Sequence, residues 1–310
     1  MTLLEIAASI LAQPTAPFCE DAVRAEIERL LAGLPGVTCR RDGFGNLLAE
    51  YRRGDSAPRF AFAAHMDHPG YVGEEFLGGV PESYRAKKPP TRDFGRFSMW
   101  DLPAFELREG RIYSRACDDL IGCAAIVGMF HELAAAGAEA ACHGLFTRAE
   151  EVGFIGAIQL AQSGTLPKNV TVVSLETSSQ RSGNVTMGDG VIIRVGDRTS
   201  IFDSDATAEL VQIATGAKLP FQRALMSGGT CEATAYQVLG YRSCGICVAL
   251  GNYHNCAPEE TIAAEYVSVE DYEGMSRLCV AAAQSAPIQS PSEELKVRFA
   301  EWLKEYAEYF

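Results

Sequence analysis

In RAEEVGFIGA, residues 148–157, two carboxylates, Glu150 and Glu151, stand side by side just before a glycine-rich bend. Alone, such a pair reads as a solvated loop, since charged side chains are mostly exposed. Other stretches carry groups of the same kind. His65 and Asp67 sit in AHMDHPG, Asp118 and Asp119 in ACDDLIGCAA, Glu176 in SLETS and His254 in GNYHN. Each has an ordinary explanation by itself: a satisfied core histidine, a helix N-cap for the Asp pair, a strand end, a loop. Together, two imidazoles and several carboxylates make a donor set suited to zinc, manganese or cobalt, with no thiolate required. Adjacent side chains on extended backbone diverge, so the two carboxylates of the Glu150–Glu151 pair need not serve the same purpose.

These groups act jointly only if the fold gathers them. His65, the Asp118 pair, the Glu150 pair, Glu176 and His254 each follow or end a short apolar run that reads as a strand: RFAFAAH, GRIYSRA, HGLFTRA, NVTVVSLE and CGICVAL. Helical spacing covers 2–13, 20–34, LIGCAAIVGMFHELAAAG up to a stop at Gly137, GAIQLAQSG, SDATAELVQIATGA with Ser204 or Asp203 as N-cap, GGTCEATAYQVLG, 269–285 and 292–307. TCRRDGFGNLLAEY reads as a hairpin turning at Asp42-Gly43. The alternation predicts an α/β fold, a mostly parallel sheet with helices on both faces. In such sheets ligands gather beyond the carboxyl ends of the strands. The section from residue 72, with Gly78-Gly79 and Pro89-Pro90, is poorly periodic and reads as a small inserted segment. The division expected is a catalytic unit of 1–71 and 106–310 around an insertion of 72–105.

Composition narrows the partners. The chain has 310 residues, 47% of them apolar, which allows a substantial core, and a formal charge of −13, which repels phosphate backbones and excludes nucleic acid. No apolar run reaches the roughly 18–20 residues of a membrane span, and the start reads as an amphipathic helix rather than a signal peptide. Ten scattered cysteines predict reduced, buried thiols and a cytoplasmic protein. Cys244 and Cys247 form a CxxC without the second pair that a structural zinc site needs, and read as part of a buried strand.

In this order, AHMDHPG, ACDDLIGCAA, RAEEVGFIGA, SLETS, GGTCEA and GNYHN resemble the motifs of dinuclear zinc aminopeptidases. The nearest resemblance is to the tetrahedral aminopeptidase family, which includes glutamyl and deblocking aminopeptidases. QPTAPFCEDAVR is similar to that family's opening, and the match covers most of 1–285. The resemblance implies a zinc-exopeptidase-like fold and hydrolysis of the first peptide bond of peptides with a free N-terminus. It implies two divalent ions, zinc with cobalt or manganese as alternatives. His65 and Glu176 would hold one, Glu151 and His254 the other, and Asp118 would bridge them. Asp67 would orient His65 through its second ring nitrogen. Glu150 would be the general base toward a water shared by the ions. The Asp118–Asp119 peptide bond would be cis. Gly228, Gly229 and Thr230 would line the substrate side, with Thr230 as a plain helix cap the other reading.

The chain also departs from the family. Glu176 and Glu232 stand where the motifs usually carry Asp. His65 and Asp118 lie only about 50 residues apart, where the tetrahedral enzymes insert a full β-rich domain that drives dimer and dodecamer assembly. That shortening predicts a homo-oligomer smaller than a dodecamer. The competing functions are an amidase or deacylase of N-acyl amino acids on the same scaffold, and a metal-binding relative that has lost catalysis, against which the intact Glu150 argues. A cysteine peptidase using Cys117 or Cys256 with His254 is a further alternative.

Overall fold

The computed structural model describes residues 1–287 and 291–310. Two helices, α1 (Leu3–Leu11) and α2 (Asp21–Leu31), precede the hairpin β1 (Val37–Arg41) and β2 (Leu47–Arg53), and β3 (Phe60–His65). Four short strands follow, β4 (Gly70–Val72), β5 (Glu75–Leu77), β6 (Thr91–Asp93) and β7 (Phe97–Trp100), with the one-turn helix α3 (Glu82–Arg85) before β6. Next come β8 (Glu106–Arg108), β9 (Arg111–Ser114), α4 (Leu120–Ala136), β10 (Ala140–Thr147), α5 (Ile155–Gln162) and β11 (Thr171–Ser179). The order continues with β12 (Val191–Gly196), α6 (Ser204–Gly216), β13 (Phe221–Leu225), α7 (Glu232–Val238) and β14 (Arg242–Leu250). Short strands β15 (Cys256–Ala257), β16 (Thr261–Ile262) and β17 (Glu265–Ser268) lead to α8 (Val269–Gln284), and α9 (Pro291–Glu305) lies near the C-terminus.

Eight strands form the central sheet in the order β1-β2-β10-β3-β11-β14-β12-β13. Its middle, from β10 through β3 and β11 to β14, is parallel, and β12 and β13 are parallel to each other. The alternation along β3 shows how the sheet is covered. Phe60, Phe62 and Ala64 pack in the larger core with α1, α2, α4, α6 and α8, while Ala61 and Ala63 pack on the other face with residues of α5 and α7. All six residues of β3 are buried, as expected of a strand covered on both sides. α4 is apolar nearly all round because it is sandwiched, and its ends are set by Asp119, which caps Gly122 N, and Gly137 in the left-handed conformation.

Two strands of the central sheet were not anticipated, β12 and β13. VIIRVG is a short run interrupted by a charge, and FQRAL is a half-exposed edge strand, so neither has a clear period. The poorly periodic section from residue 72 is more regular than its composition suggests: with Gly70 and Tyr71 it builds β4–β7 into a four-stranded sheet in the order β5-β4-β7-β6. β9 was expected to carry Asp118 at the edge of the central sheet. It belongs instead to a separate three-stranded sheet, β17-β9-β8, which delivers Asp118 from the side. Among the described residues no helix is long and apolar enough to cross a membrane. All ten cysteines are unpaired, and Cys244 and Cys247 are buried in β14.

Candidate metal centre

Strand register places the first two groups. Ala63 pairs with Ser174, and continuing that register sets Glu176 level with His65, the last residue of β3, on the same face. On the other side Thr147 pairs with His65, so β10 runs out beside it and the chain turns through Arg148 and Ala149 into Glu150 and Glu151. β14 ends at Leu250 and leads into a turn carrying His254. Ala149, His254 and Asn255 all have positive φ, a conformation that costs free energy in non-glycine residues and gathers at functional sites. The Asp118–Asp119 peptide is cis, as the resemblance implies.

The side chains converge. Asp118 lies between the two imidazoles, with Oδ1 3.6 Å from His65 Nε2 and Oδ2 3.5 Å from His254 Nε2. Glu176 Oε2 is 3.9 Å from His65 Nε2, and Glu151 Oε2 is 3.3 Å from His254 Nε2. His65, Asp118 and Glu176 thus form one group of ligand atoms within 4.8 Å of one another, and Asp118, Glu151 and His254 form a second. A third such group joins His65 with Glu150 and Glu151. Glu150 Oε2 stands 4.0 Å from His65 Nε2.

These positions fit divalent cations. Several of the N···O separations exceed a hydrogen bond yet are close to the roughly 3.3–3.6 Å between donors of a tetrahedral ion with bonds of about 2.0–2.2 Å. Glu151 Oε1 and Glu176 Oε1 are buried with no hydrogen-bond partner among the described residues. Burial pushes Glu150 well above the usual carboxylate range and Glu176 up to about 8, and neighbouring carboxylates add to both shifts. Burial opposes charge on His65 and His254, but the carboxylates around them, Glu150 foremost for His65 and Glu151 for His254, hold both imidazoles well above their ordinary value. Asp118 is also penalised by burial, yet the two imidazoles keep it below the usual range. So much buried negative charge is costly unless cations balance it.

A ring of supporting contacts fixes these groups. The Asp67 carboxylate accepts from Glu150 N (2.9 Å) and Glu151 N (3.1 Å). Its expected partner, His65 Nδ1, lies 3.7 Å from the carboxylate and is within hydrogen-bond reach of the Asp67 backbone carbonyl instead, at 3.0 Å. The carboxylate therefore orients the Glu150–Glu151 backbone, and the carbonyl faces the imidazole. Burial raises Asp67 to about 7. Glu20 accepts from Ala149 N and from Arg148 Nε, and Asn46 accepts from Arg148 N while donating to Gly156 O. At Gly156 a β-carbon would collide with the Arg148 backbone, so only glycine closes this turn. Glu265 accepts from both Asp118 N (3.0 Å) and His254 N (2.8 Å), joining the two ligands that come from different elements. Thr177 donates to Asp118 Oδ1, and His68 Nδ1 to the Asp118 carbonyl. None of Glu20, Asn46, Glu265, His68 or Thr177 stands out in the sequence. Glu20, His68 and Thr177 lie in the quoted QPTAPFCEDAVR, AHMDHPG and SLETS, but nothing local marks them as supports.

The cluster opens into a cavity of about 260 Å³ that is also lined by Arg194, Ser178, Gly228, Gly229 and Thr230. Thr230 is not the cap of α7. Its hydroxyl bonds Thr199, the N-cap is Cys231, and Asp197 accepts from Cys231 N and the Thr234 hydroxyl. Glu232, the first residue of α7, is fully buried, which raises its pKa. Gly79 of the inserted section comes so near that a β-carbon there would sit 3.2 Å from His254 Cε1. Cys117 is buried and its thiol pushed far up, while Cys256 Sγ faces the His254 backbone carbonyl, so neither is built as a nucleophile.

Residues 92–278 match the family model described as M42 glutamyl aminopeptidase. The chain belongs to this family. An M42 peptidase is a metal-dependent aminopeptidase, in agreement with the donor set above. No curated protein matches the chain significantly. Among solved structures, the M42 chain is similar to the TET1 peptidase of Pyrococcus horikoshii at 21% identity, over 92% of this chain and 100% of that one, with a TM-score of 0.75. A dodecameric form, PhTET1-12s, matches over the same shares at 21% identity and a TM-score of 0.76. The TET aminopeptidase of the marine sediment archaeon Thaumarchaeota archaeon SCGC AB-539-E09 matches at 18% identity, over 93% and 98%, with a TM-score of 0.77. At these identities the likeness is one of fold.

The comparisons correct one expectation about this M42 enzyme. An oligomer smaller than a dodecamer was expected, but the similar TET1 structures form a dodecamer, a tetrahedron or a large octahedral shell. The expectation equated a shorter insertion with a lost interface. The segment still folds as a four-stranded sheet, and assembly depends on surfaces rather than on chain length.

Proposed function

We propose that this chain removes N-terminal residues from peptides at a centre of two divalent cations. His65, Glu176 and Asp118 would hold one, and Glu151, His254 and Asp118 the other. The carrying observation is Asp118 set between the two imidazoles, one carboxylate oxygen toward each. Imidazole and carboxylate donors favour zinc, with cobalt or manganese as alternatives. When bound, such ions supply a lowered water pKa and positive charge for the oxygen of the carbonyl under attack. Glu150, beside His65 but outside the two groups centred on Asp118, accepts the proton of the attacking water and returns it to the leaving amine. Asp67 holds Glu150 and Glu151 by their backbone N–H groups, so that ligand and base stay in fixed relation. Gly229 and Thr230 border the space for substrate.

Arg194 suggests which residue is removed. It is buried, lines the cavity, and its Nε has no partner among the described residues. A guanidinium in that position favours an acidic N-terminal side chain, through paired N–H···O contacts. The family description, glutamyl aminopeptidase, agrees.

The same reading takes 1–71 and 106–310 as the catalytic unit and 72–105 as the insertion, assembles the subunits into a large particle like those of the TET relatives, and places the protein in the cytoplasm, where its ten unpaired thiols stay reduced. The test is an assay of aminoacyl-anilides beside N-acyl amino acids, with zinc, cobalt or manganese added. Cleavage of glutamyl- and aspartyl-anilides supports the proposal, and cleavage of N-acyl amino acids alone would replace it with the deacylase.

A further inference from the structure

α9 lies beyond the family match, which ends at residue 278. Among the described residues, its anchor to the body is Ser292, which donates from N and Oγ to Asp205 of α6. From there to the C-terminus every residue is exposed except Ser292 itself. Yet Leu295, Phe299, Trp302, Tyr306 and Tyr309 are large, apolar and between 45% and 77% exposed. Their spacing is 4-3-4-3, the d-a-d-a-d pattern of a coiled-coil seam, carried by α9 and the turn that follows it. A lone helix of this length is marginal in water, so a strip of this kind calls for a partner.

We propose that α9 pairs antiparallel with α9 of a second copy of this chain. The flanking charges select both the occupant and the direction. In a parallel pair, Arg298 would meet Leu303 and Glu305 would meet Phe310, and no charges match. In an antiparallel pair, Arg298 of each helix faces Glu305 of the other, twice by symmetry. The same register stacks Phe299 on Trp302 and Leu295 on Tyr306 across the two-fold axis. Arg298 already lies over its own Trp302 ring, 5.2 Å from the centroid, beside the seam it would flank. Covering the exposed halves of these side chains would bury about 1,000 Å² in total, near the threshold of a specific interface. The contact adds a two-fold link between subunits and does not depend on the chemistry at the metal centre.

The chain's two tryptophans make the test direct, because Trp100 is buried and Trp302 reports on the seam. Iodide quenching of the full-length protein is measured across a dilution series, for the native chain and for Phe299→Glu, Arg298→Glu, Glu305→Arg and the double reversal. The native Trp302 should be shielded, with a quenching constant at least about threefold below that of Phe299→Glu. Each single reversal should weaken association about 5- to 30-fold, and the double reversal should restore it. Aminopeptidase activity, unchanged in all variants, confirms that they fold. Free quenching of Trp302 in the native protein would overturn the proposal. So would shielding that neither reversal disturbs, which would place α9 on another surface, and so would failure of the double reversal to recover.

Discussion

At the scale of single residues, the site separates holding from proton transfer. Glu150 and Glu151 are chemically alike and adjacent, yet Glu151 groups with Asp118 and His254, while Glu150 stands beside His65 and outside both groups that contain Asp118. Glu150→Gln should keep both cations and lose about 10²–10⁴ in kcat, read by steady-state assay beside metal analysis. Asp67→Asn keeps one acceptor oxygen but sets an NH2 group against the backbone N–H of the other glutamate, so only one of the two contacts survives. It should lower activity about 10- to 100-fold, because ligand and base lose their mutual register. Equal activity of either variant and the parent would take that residue out of the account.

At the scale of elements, the turn from β10 to α5 and the loop after β14 carry the geometry. Gly156→Ala puts a methyl group against the Arg148 backbone. It should destabilise the protein by about 1–3 kcal/mol, seen as a lower midpoint in urea. Much of this was legible in the sequence. Apolar runs ending in His65, Glu150–Glu151 and Glu176, or leading to His254, announced strands whose tips meet, and those tips do meet. The hairpin at Asp42-Gly43 and the Gly137 stop were also readable, since each is a local signal. What could not be read is long-range. Glu265 joins Asp118 to His254 from β17, 147 positions after Asp118, and Asn46 clamps a turn more than 100 positions away, so no spacing rule finds them. β12, which carries Arg194 to the cavity wall, lacks periodicity because its charge sits mid-strand.

At the scale of the whole molecule, the buried carboxylates couple metal, protons and stability. Without cations, burial holds Glu176 near 8, and nearby carboxylates hold His65 and His254 above their ordinary value. Loading must therefore displace protons, so affinity for zinc should fall as pH drops from about 8 toward 5, a trend readable by competition with a chromophoric chelator. Chelation should also lower the melting temperature, and added zinc should restore it, because the folded state alone assembles the ligands. The most direct measurement of the central claim is the metal content of the purified chain beside that of Asp118→Ala. The account predicts two divalent ions per chain in the parent, and at most one, with activity abolished, in the variant. A parent that is fully active with a single ion, or a variant that retains both, would contradict it.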